Sequence, residues 1–270
     1  VNTALAGLGL GLVLGLAAGA APAASPPPAS ASPPASADGV ALQASLVRTG
    51  LYMVSGGGGN ALLRNTPLGT LLIGAKQPGQ YAALMKQVRW ISRLSDLPVR
   101  ALLLTDTHPD TAGNAPEFMA RGIPVVLASD AVRAWSDSGV AATLPAKAML
   151  VPFEHEYAVN IAGVPVQAWH FGAARSRTSA VVYLPDMKVV AVGRLYDSGP
   201  PVPDDDGGSL AGWSRALGAV LAWDFDIVVP AEGPLRKRAD LEAMKARVDA
   251  ALAAQRMQAA ASAAGPAPAP

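Results

Sequence analysis

The sequence predicts an α/β sandwich, two sheets packed face to face with helices outside. Three observations lead there. Each half of the folded region opens on a run of strand-like segments and closes on helical ones, so each half supplies one sheet and the helices that cover it. With 51% hydrophobic and 15% charged residues, the 270-residue chain has the apolar material for a sizeable core. The short run "VRALLL", Val99 to Leu104, suits a fully buried strand of the kind a covered sheet contains.

The elements follow in order. "VALQASLVRTGLYMVSG" carries β-branched and aromatic residues at strand spacing, and "ALLRNTPLGTLLI" reads as a hairpin turning at "NTPLG", so the chain opens antiparallel. Tyr81, Leu84, Val88, Ile91 and Leu94 recur at intervals of three and four, which puts them on one helical face against a sheet. After "VRALLL" come a helix near "APEFMA", the strand "PVVLA" and a helix starting at Asp130. The second half has strands at "AMLVPF", "VPVQAWHF", "AVVYL" and "VVAVG", with "PDMK" as the turn between the last two. A helix over Ser209 to Leu221, the strand "DIVV" and a long helix carrying Leu241, Met244, Val248 and Leu252 complete it.

With no internal repeat and no second linker, Asp38 to Ser262 is expected to be one domain. The uncharged, apolar residues 1–24, passing into Ala-rich sequence with A-x-A-type cleavage sites, read as an export signal, a membrane anchor being the lesser alternative. Residues 25–37, "SPPPASASPPASA", have the composition of a linker, and residues 263–270 that of a frayed tail. The expected location is therefore periplasmic or secreted, with no membrane association once the signal is removed.

Charge and composition exclude several classes. The 21 basic and 20 acidic residues nearly cancel, so no net field draws the chain to nucleic acid. Cysteine is absent, which removes disulfides, thiolate metal ligands and a cysteine nucleophile. Histidine is scarce as well: there are three, His108, His155 and His170, where a two-zinc hydrolase site draws on about four or five imidazoles.

Loops at the carboxyl ends of strands are where ligands collect in α/β sheets. "TDTHPDTAGN" after "VRALLL", "GRLYDSG" after "VVAV" and "PAEGP" after "DIVV" fit that position, and "HFGAARSRTS" overhangs the same edge. These loops carry a family resemblance. From about Val47 to Ala250 the chain resembles a metallo-β-lactamase-fold hydrolase, in particular the exported bacterial members with a Trp-containing helix before the last strand. "GGNALLRNTPLGTLLIGA" matches the opening hairpin, "LPVRALLLTDTHPDTAGNAPEFMARGIPVVLA" the strand with the first metal motif, and "VVYLPDMKVVAVGRL" the hairpin before the bridging aspartate. "GGSLAGWSRALGAVLAWDFDIVVPAEGP" matches the end of the second half. The resemblance implies a four-layer αββα sandwich in which metal-activated water attacks esters, lactams, thioesters or phosphodiesters.

The ligand positions depart from that pattern. The family motif T-H-x-H-x-D-H-x-G, laid on Thr105 to Gly113, puts Asp106 at the first His, keeps His108 and Asp110, and puts Thr111 at the third His. The next ligand His falls at Arg175, or with a shift at Arg177, the bridging Asp at Arg194, and the last His at Glu232; an Asp that ends the opening hairpin is Gly74. A guanidinium is permanently protonated and has only donors, so Arg175 and Arg194 repel a cation and are expected instead to pair with Asp106, Asp110 or Glu232. Three acids against two arginines leave about one negative charge, which a protonated His108 offsets.

The leading expectation is thus a non-catalytic binding or accessory protein with a degenerate metal site and no cofactor, its partner an unidentified small molecule or periplasmic protein. The alternative is a hydrolase that holds a single divalent ion such as Mn²⁺ or Zn²⁺ at Asp106, His108, Asp110 and Glu232, with Asp110 catalytic and the arginines binding an anionic substrate.

Other features read more plainly. "SGGGGN" lacks the Lys-Ser/Thr and helix start of a phosphate loop and is a flexible turn bordering the pocket. His155 is a solvated residue, His170 a half-buried strand histidine, and Ser176 and Ser179 loop serines without a nucleophile turn. "PPVPDDDGGS" is a solvated acidic loop, with Ca²⁺ as a lesser alternative, and Trp213 and Trp223 are core residues.

Overall fold

The structure is a computed structural model that describes residues 41–92 and 98–263. The signal and linker segments, the domain start at Asp38, Leu94 of the first helical stripe and the tail beyond Ala263 lie outside the described residues.

The first half builds one sheet from contiguous chain. Strands β1 (Gln43–Arg48), β2 (Leu51–Ser55), β3 (Ala61–Thr66) and β4 (Gly69–Ile73) form an antiparallel meander, and β5 (Val99–Leu103), β6 (Val125–Ala128) and β7 (Leu150–Phe153) add to it in parallel. Parallel neighbours need crossovers, and these are helical: α1 (Tyr81–Ser92) before β5, the short α2 (Pro109–Ala112) and α3 (Ala115–Met119) before β6, and α4 (Ser129–Asp137) before β7.

The second half repeats the scheme. Strands β8 (Glu156–Ile161), β9 (Val164–Trp169), β10 (Val181–Leu184) and β11 (Val189–Gly193) are antiparallel. Helix α5 (Leu210–Leu221) then returns the chain so that β12 (Ile227–Pro230) joins β11 in parallel, β13 (Arg236–Lys237) closes the edge, and α6 (Arg238–Ala263) follows.

Side-chain alternation explains the layers. On β10 and β11, Val182, Leu184, Val189 and Ala191 face the first sheet and share a core with Leu51, Leu62 and Ile73, while Val181, Tyr183, Val190 and Val192 face outward onto Trp213, Leu217 and Val220 of α5 and Leu241, Met244 and Val248 of α6. The first sheet is covered on its far side by Leu84 and Val88 of α1, Phe118 of α3 and Trp135 of α4. The order of layers is helix, sheet, sheet, helix, the sandwich expected from the sequence. Among the described residues no helix is long and apolar enough to cross a membrane.

Two strands were not anticipated. β8 has only alternating half-buried positions, because it is an edge strand with one face in solvent, and its weak apolar signal hides it in the sequence. β13 is two residues long and too short for any periodic signature.

Candidate functional site

The loop after β5 folds around one carboxylate. Asp106 is 2% exposed, and its Oδ1 accepts hydrogen bonds from the His108 backbone N–H at 2.9 Å and from the Thr111 hydroxyl. Thr105 Oγ1 donates to Oδ2 at 3.3 Å, and His108 Nδ1 lies 3.2 Å from Oδ1. Pro109 then starts α2, where its missing N–H costs nothing. Asp106 and Thr111, two positions where the family pattern has imidazoles, therefore bond to each other.

The second half supplies the cations and further acids. Arg175 donates to Asp197 Oδ2 and, from Nε, to Asp204 Oδ1 at 3.3 Å; its guanidinium carbon lies 5.5 Å from the ring centre of Trp213. Arg194 donates to Asp110 Oδ2 at 3.3 Å and has its Nε 3.8 Å from Asp204 Oδ2. His108 Nε2 lies 3.3 Å from that same Asp204 oxygen, so a single carboxylate is shared by two arginines and a histidine. Asp204 reaches this place because its loop is laced to the Arg175 segment: the Asp204 N–H donates to the Arg175 carbonyl at 2.7 Å, and the Ser209 N–H to the Ala174 carbonyl at 2.6 Å. Gly208 permits the approach, since a Cβ there would come within 2.0 Å of the Arg175 carbonyl oxygen.

These placements correct the sequence reading in specific ways. Arg194 does pair with Asp110, but the partners of Arg175 are Asp197 and Asp204, not Asp106, Asp110 or Glu232. The acidic run is not simply solvated: Asp205 and Asp206 are exposed, whereas the Asp204 side chain retains 19% exposure and sits at the centre of the network. Its position in a run of three aspartates hid it, because a charge run ordinarily marks a solvated face. Arg177, the shifted alternative to Arg175, turns away to Asp137 at 2.7 Å. Glu232 is exposed, and among the described residues it has no ion-pair partner.

Electrostatics follow from these contacts. Burial pushes the Asp106 carboxyl up, but the hydrogen bonds from His108 and Thr111 outweigh it and hold the group below its ordinary value. The hydrogen bond to Asp106 raises His108 against the opposing effect of burial, so the imidazolium is favoured. Burial acts against the Arg175 charge, and Asp197 and Asp204 more than restore it; burial likewise acts on Asp197, which the Gly199 N–H and Arg175 bring below the carboxylate norm.

Beside the network opens a pocket of about 220 Å³ lined by Arg175, Arg194, Tyr196, Asp197, Glu232 and Arg236, among others. Arg236 stands over the Tyr196 ring at 5.2 Å. Sequence reasoning did not single out Tyr196, Asp197 or Arg236; Asp197 and Tyr196 lie in the quoted "GRLYDSG" loop, while Arg236 carries no motif.

The glycine-rich turn is fastened down, contrary to the flexible turn expected. Lys76, 0% exposed, donates to the carbonyls of Val54 at 2.5 Å, Gly56 at 2.8 Å and Gly59 at 2.7 Å. Gly59 N–H donates to the Asp110 carbonyl at 2.8 Å, and Gly58, at φ 93°, would bring a Cβ to 2.5 Å from that oxygen. Gly74, where the family pattern ends its hairpin on Asp, also has positive φ and donates to the Leu103 carbonyl at 2.9 Å.

The other singled-out residues are structural. His170 is 5% exposed, more deeply buried than expected, between the Ser179 carbonyl and Asp130 Oδ2, both at 2.9 Å. Ser176 and Ser179 are buried and bond to each other at 3.0 Å, and His155 is exposed. Trp213 is fully buried, donating to the Leu195 carbonyl at 2.9 Å, whereas Trp223 is only partly buried.

Comparison with known proteins completes the picture. The family model described as "Metallo-beta-lactamase superfamily" matches residues 56–232, well over half of the chain. The chain belongs to the metallo-β-lactamase superfamily. Among solved structures, a metallo-β-lactamase from Pontibacter korlensis superposes with a TM-score of 0.66 at 18% identity, covering 77% of this chain and 99% of that one. The metallo-β-lactamase FIM-1 from Pseudomonas aeruginosa, in its mono-zinc form, gives 0.64 at 21% identity over 78% and 96% of the two chains. A metallo-β-lactamase from Hirschia baltica gives 0.63 at 20% identity over 77% and 97%. At these identities the likeness speaks for the fold. No curated protein sequence matches.

Superfamily membership implies zinc, and the donor set here does not fit it. Both ring nitrogens of His108 face carboxylates, Asp110 accepts from Arg194, and two guanidiniums bring donors where the family pattern has ligands. The four residues of the single-ion alternative are likewise spread out: Asp106 and His108 face each other, Asp110 faces Arg194, and Glu232 is exposed. Among the described residues, no three His, Asp or Glu side chains are grouped as ligands.

Proposed function

We propose that this metallo-β-lactamase-fold protein is a non-catalytic binding or accessory protein, exported to the periplasm or beyond the cell, whose family metal position has become an ion-pair network. The observation that carries this reading is the shared Asp204 carboxylate, contacted by Arg175, Arg194 and His108, with Asp110 on the other side of Arg194. Such a network neutralises the same acids a cation would, and its guanidiniums offer no lone pair to a metal and no activated water to a substrate. The fold has kept its rim loops and a pocket beside them, the kind of position where ligands collect in α/β sheets, and this supports a binding role. Export is supported by the uncharged, apolar character of residues 1–24.

Elemental analysis of the purified protein before and after incubation with Zn²⁺ and Mn²⁺, thermal unfolding in chelator, and a panel of ester, thioester and β-lactam substrates test the proposal together. The expected result is no stoichiometric metal, an unchanged Tm in chelator and no turnover. A tightly held equivalent of metal, or metal-dependent turnover abolished by Asp110→Ala, overturns it in favour of the single-ion hydrolase.

A further inference from the structure

The pocket beside the network has two charged groups that the network does not use. Arg236 has no carboxylate partner among the described residues, and it lines the pocket. Glu232, on the same wall loop, is the pocket's one acid without a cation, since Asp197 is taken by Arg175. The pocket thus offers an unsatisfied positive fork and an unsatisfied carboxylate at once.

We propose that this pocket binds a small zwitterion carrying a free carboxylate and a free ammonium, an α-amino acid or a dipeptide, with Arg236 taking the carboxylate and Glu232 the ammonium. The proposal rests on the binding reading above and names the ligand class for it. Three features select this class. A planar guanidinium with no carboxylate of its own matches a carboxylate, and the Tyr196 ring, its centre 5.2 Å from the Arg236 guanidinium carbon, helps to hold that fork at the pocket wall. A simple anion would leave Glu232 beside it as an unpaired like charge, and a simple cation would meet Arg236 in the same way; only a ligand with both signs satisfies both walls. The volume of about 220 Å³ falls below the range of about 300–1,000 Å³ that drug-sized ligands occupy and admits something of amino-acid or dipeptide size.

Isothermal titration of the full chain, its metal content first verified, with alanylalanine, N-acetyl-alanylalanine and alanylalanine amide tests the assignment. The free dipeptide is expected to bind at least about tenfold more tightly than either capped form, the loss from one charge-assisted hydrogen-bonded contact. Glu232→Gln is expected to abolish the preference over the N-acetyl form while keeping the preference over the amide, and Arg236→Gln to do the reverse. Because each variant serves as the folding control for the other, general misfolding cannot reproduce that exchange. Equal binding of free and capped dipeptides, no binding of any of them, or variants that leave both preferences intact would each overturn the zwitterion assignment. None of those outcomes touches the non-catalytic reading, which depends on metal content and turnover.

Discussion

Two cations in this protein, the buried Lys76 and the half-buried Arg175, are held in opposite ways. Lys76 is withdrawn from water with only carbonyl dipoles around it, whereas Arg175, a rim residue, faces two carboxylates and the Trp213 ring. The Lys76 site fastens backbone to backbone, tying the glycine-rich turn to the strand end behind it. The Arg175 site fastens loop to loop, and its charges are balanced locally. Burial alone drives Lys76 down to about 7, while the acids around Arg175 drive that group up. The difference is between a clamp that depends on geometry and one that depends on charge, and the two should fail differently.

Lys76→Met is expected to give the largest effect, a loss of about 3 kcal/mol or more read from the urea midpoint, because three buried carbonyls lose their donor together. Asp204→Asn comes next, at about 1–2 kcal/mol, since the group is partly exposed and Arg175 keeps Asp197. The neighbouring Asp205→Asn serves as its control and should change stability by less than about 0.5 kcal/mol. Equal effects at Asp204 and Asp205 would remove Asp204 from the centre of the network.

The pH response sharpens the comparison. For Lys76 the folded value of about 7 lies below the ordinary 10.5, so between them the unfolded chain binds more protons and stability rises with pH. For His108 the folded value is raised, so its contribution is fully present below the ordinary 6.5 and is lost as pH rises through the raised value. Lys76→Met should therefore flatten the alkaline rise, and His108→Gln should remove a decline that begins above 6.5. Denaturant titrations from pH 6 to pH 10, about the range both groups span, measure both slopes. Identical slopes in the two variants would erase the distinction. The smallest expected effect is at the exposed Arg48–Asp226 pair, where Asp226→Asn should cost no more than about 0.5 kcal/mol and less in high salt.

Much of the fold was legible because its elements obey simple periods. The stripe from Tyr81 to Ile91 became α1, "VRALLL" became β5, and the "PDMK" turn lies between β10 and β11. β8 escaped because an edge strand with one wet face has little apolar signal. At the site, the departures at Asp106, Thr111, Arg175, Arg194 and Glu232 stood out against the family motif, but which acid answers which arginine did not. Pairing is a long-range matter: Arg175 and Asp204 meet because backbone bonds lace two loops distant in sequence, and no local pattern encodes that. Lys76 was equally hidden, since a lone lysine after a strand reads as a surface residue until three carbonyls are seen to converge on it.

Each sheet is drawn from one continuous half of the chain, so among the described residues no strand ladder joins the halves, and the seam between them is closed by side chains and a few loop bonds. At one end of the seam stand Arg48 with Asp226 and Arg64 with Asp186; at the other stand His108 with Asp204 and Asp110 with Arg194. Every one of these clasps pairs a residue of the first half with one of the second. A cation bridging such a seam is a guest that a chelator can extract and a starved compartment can withhold. A guanidinium arrives with the polypeptide, so the Arg194–Asp110 clasp across this seam forms with folding itself.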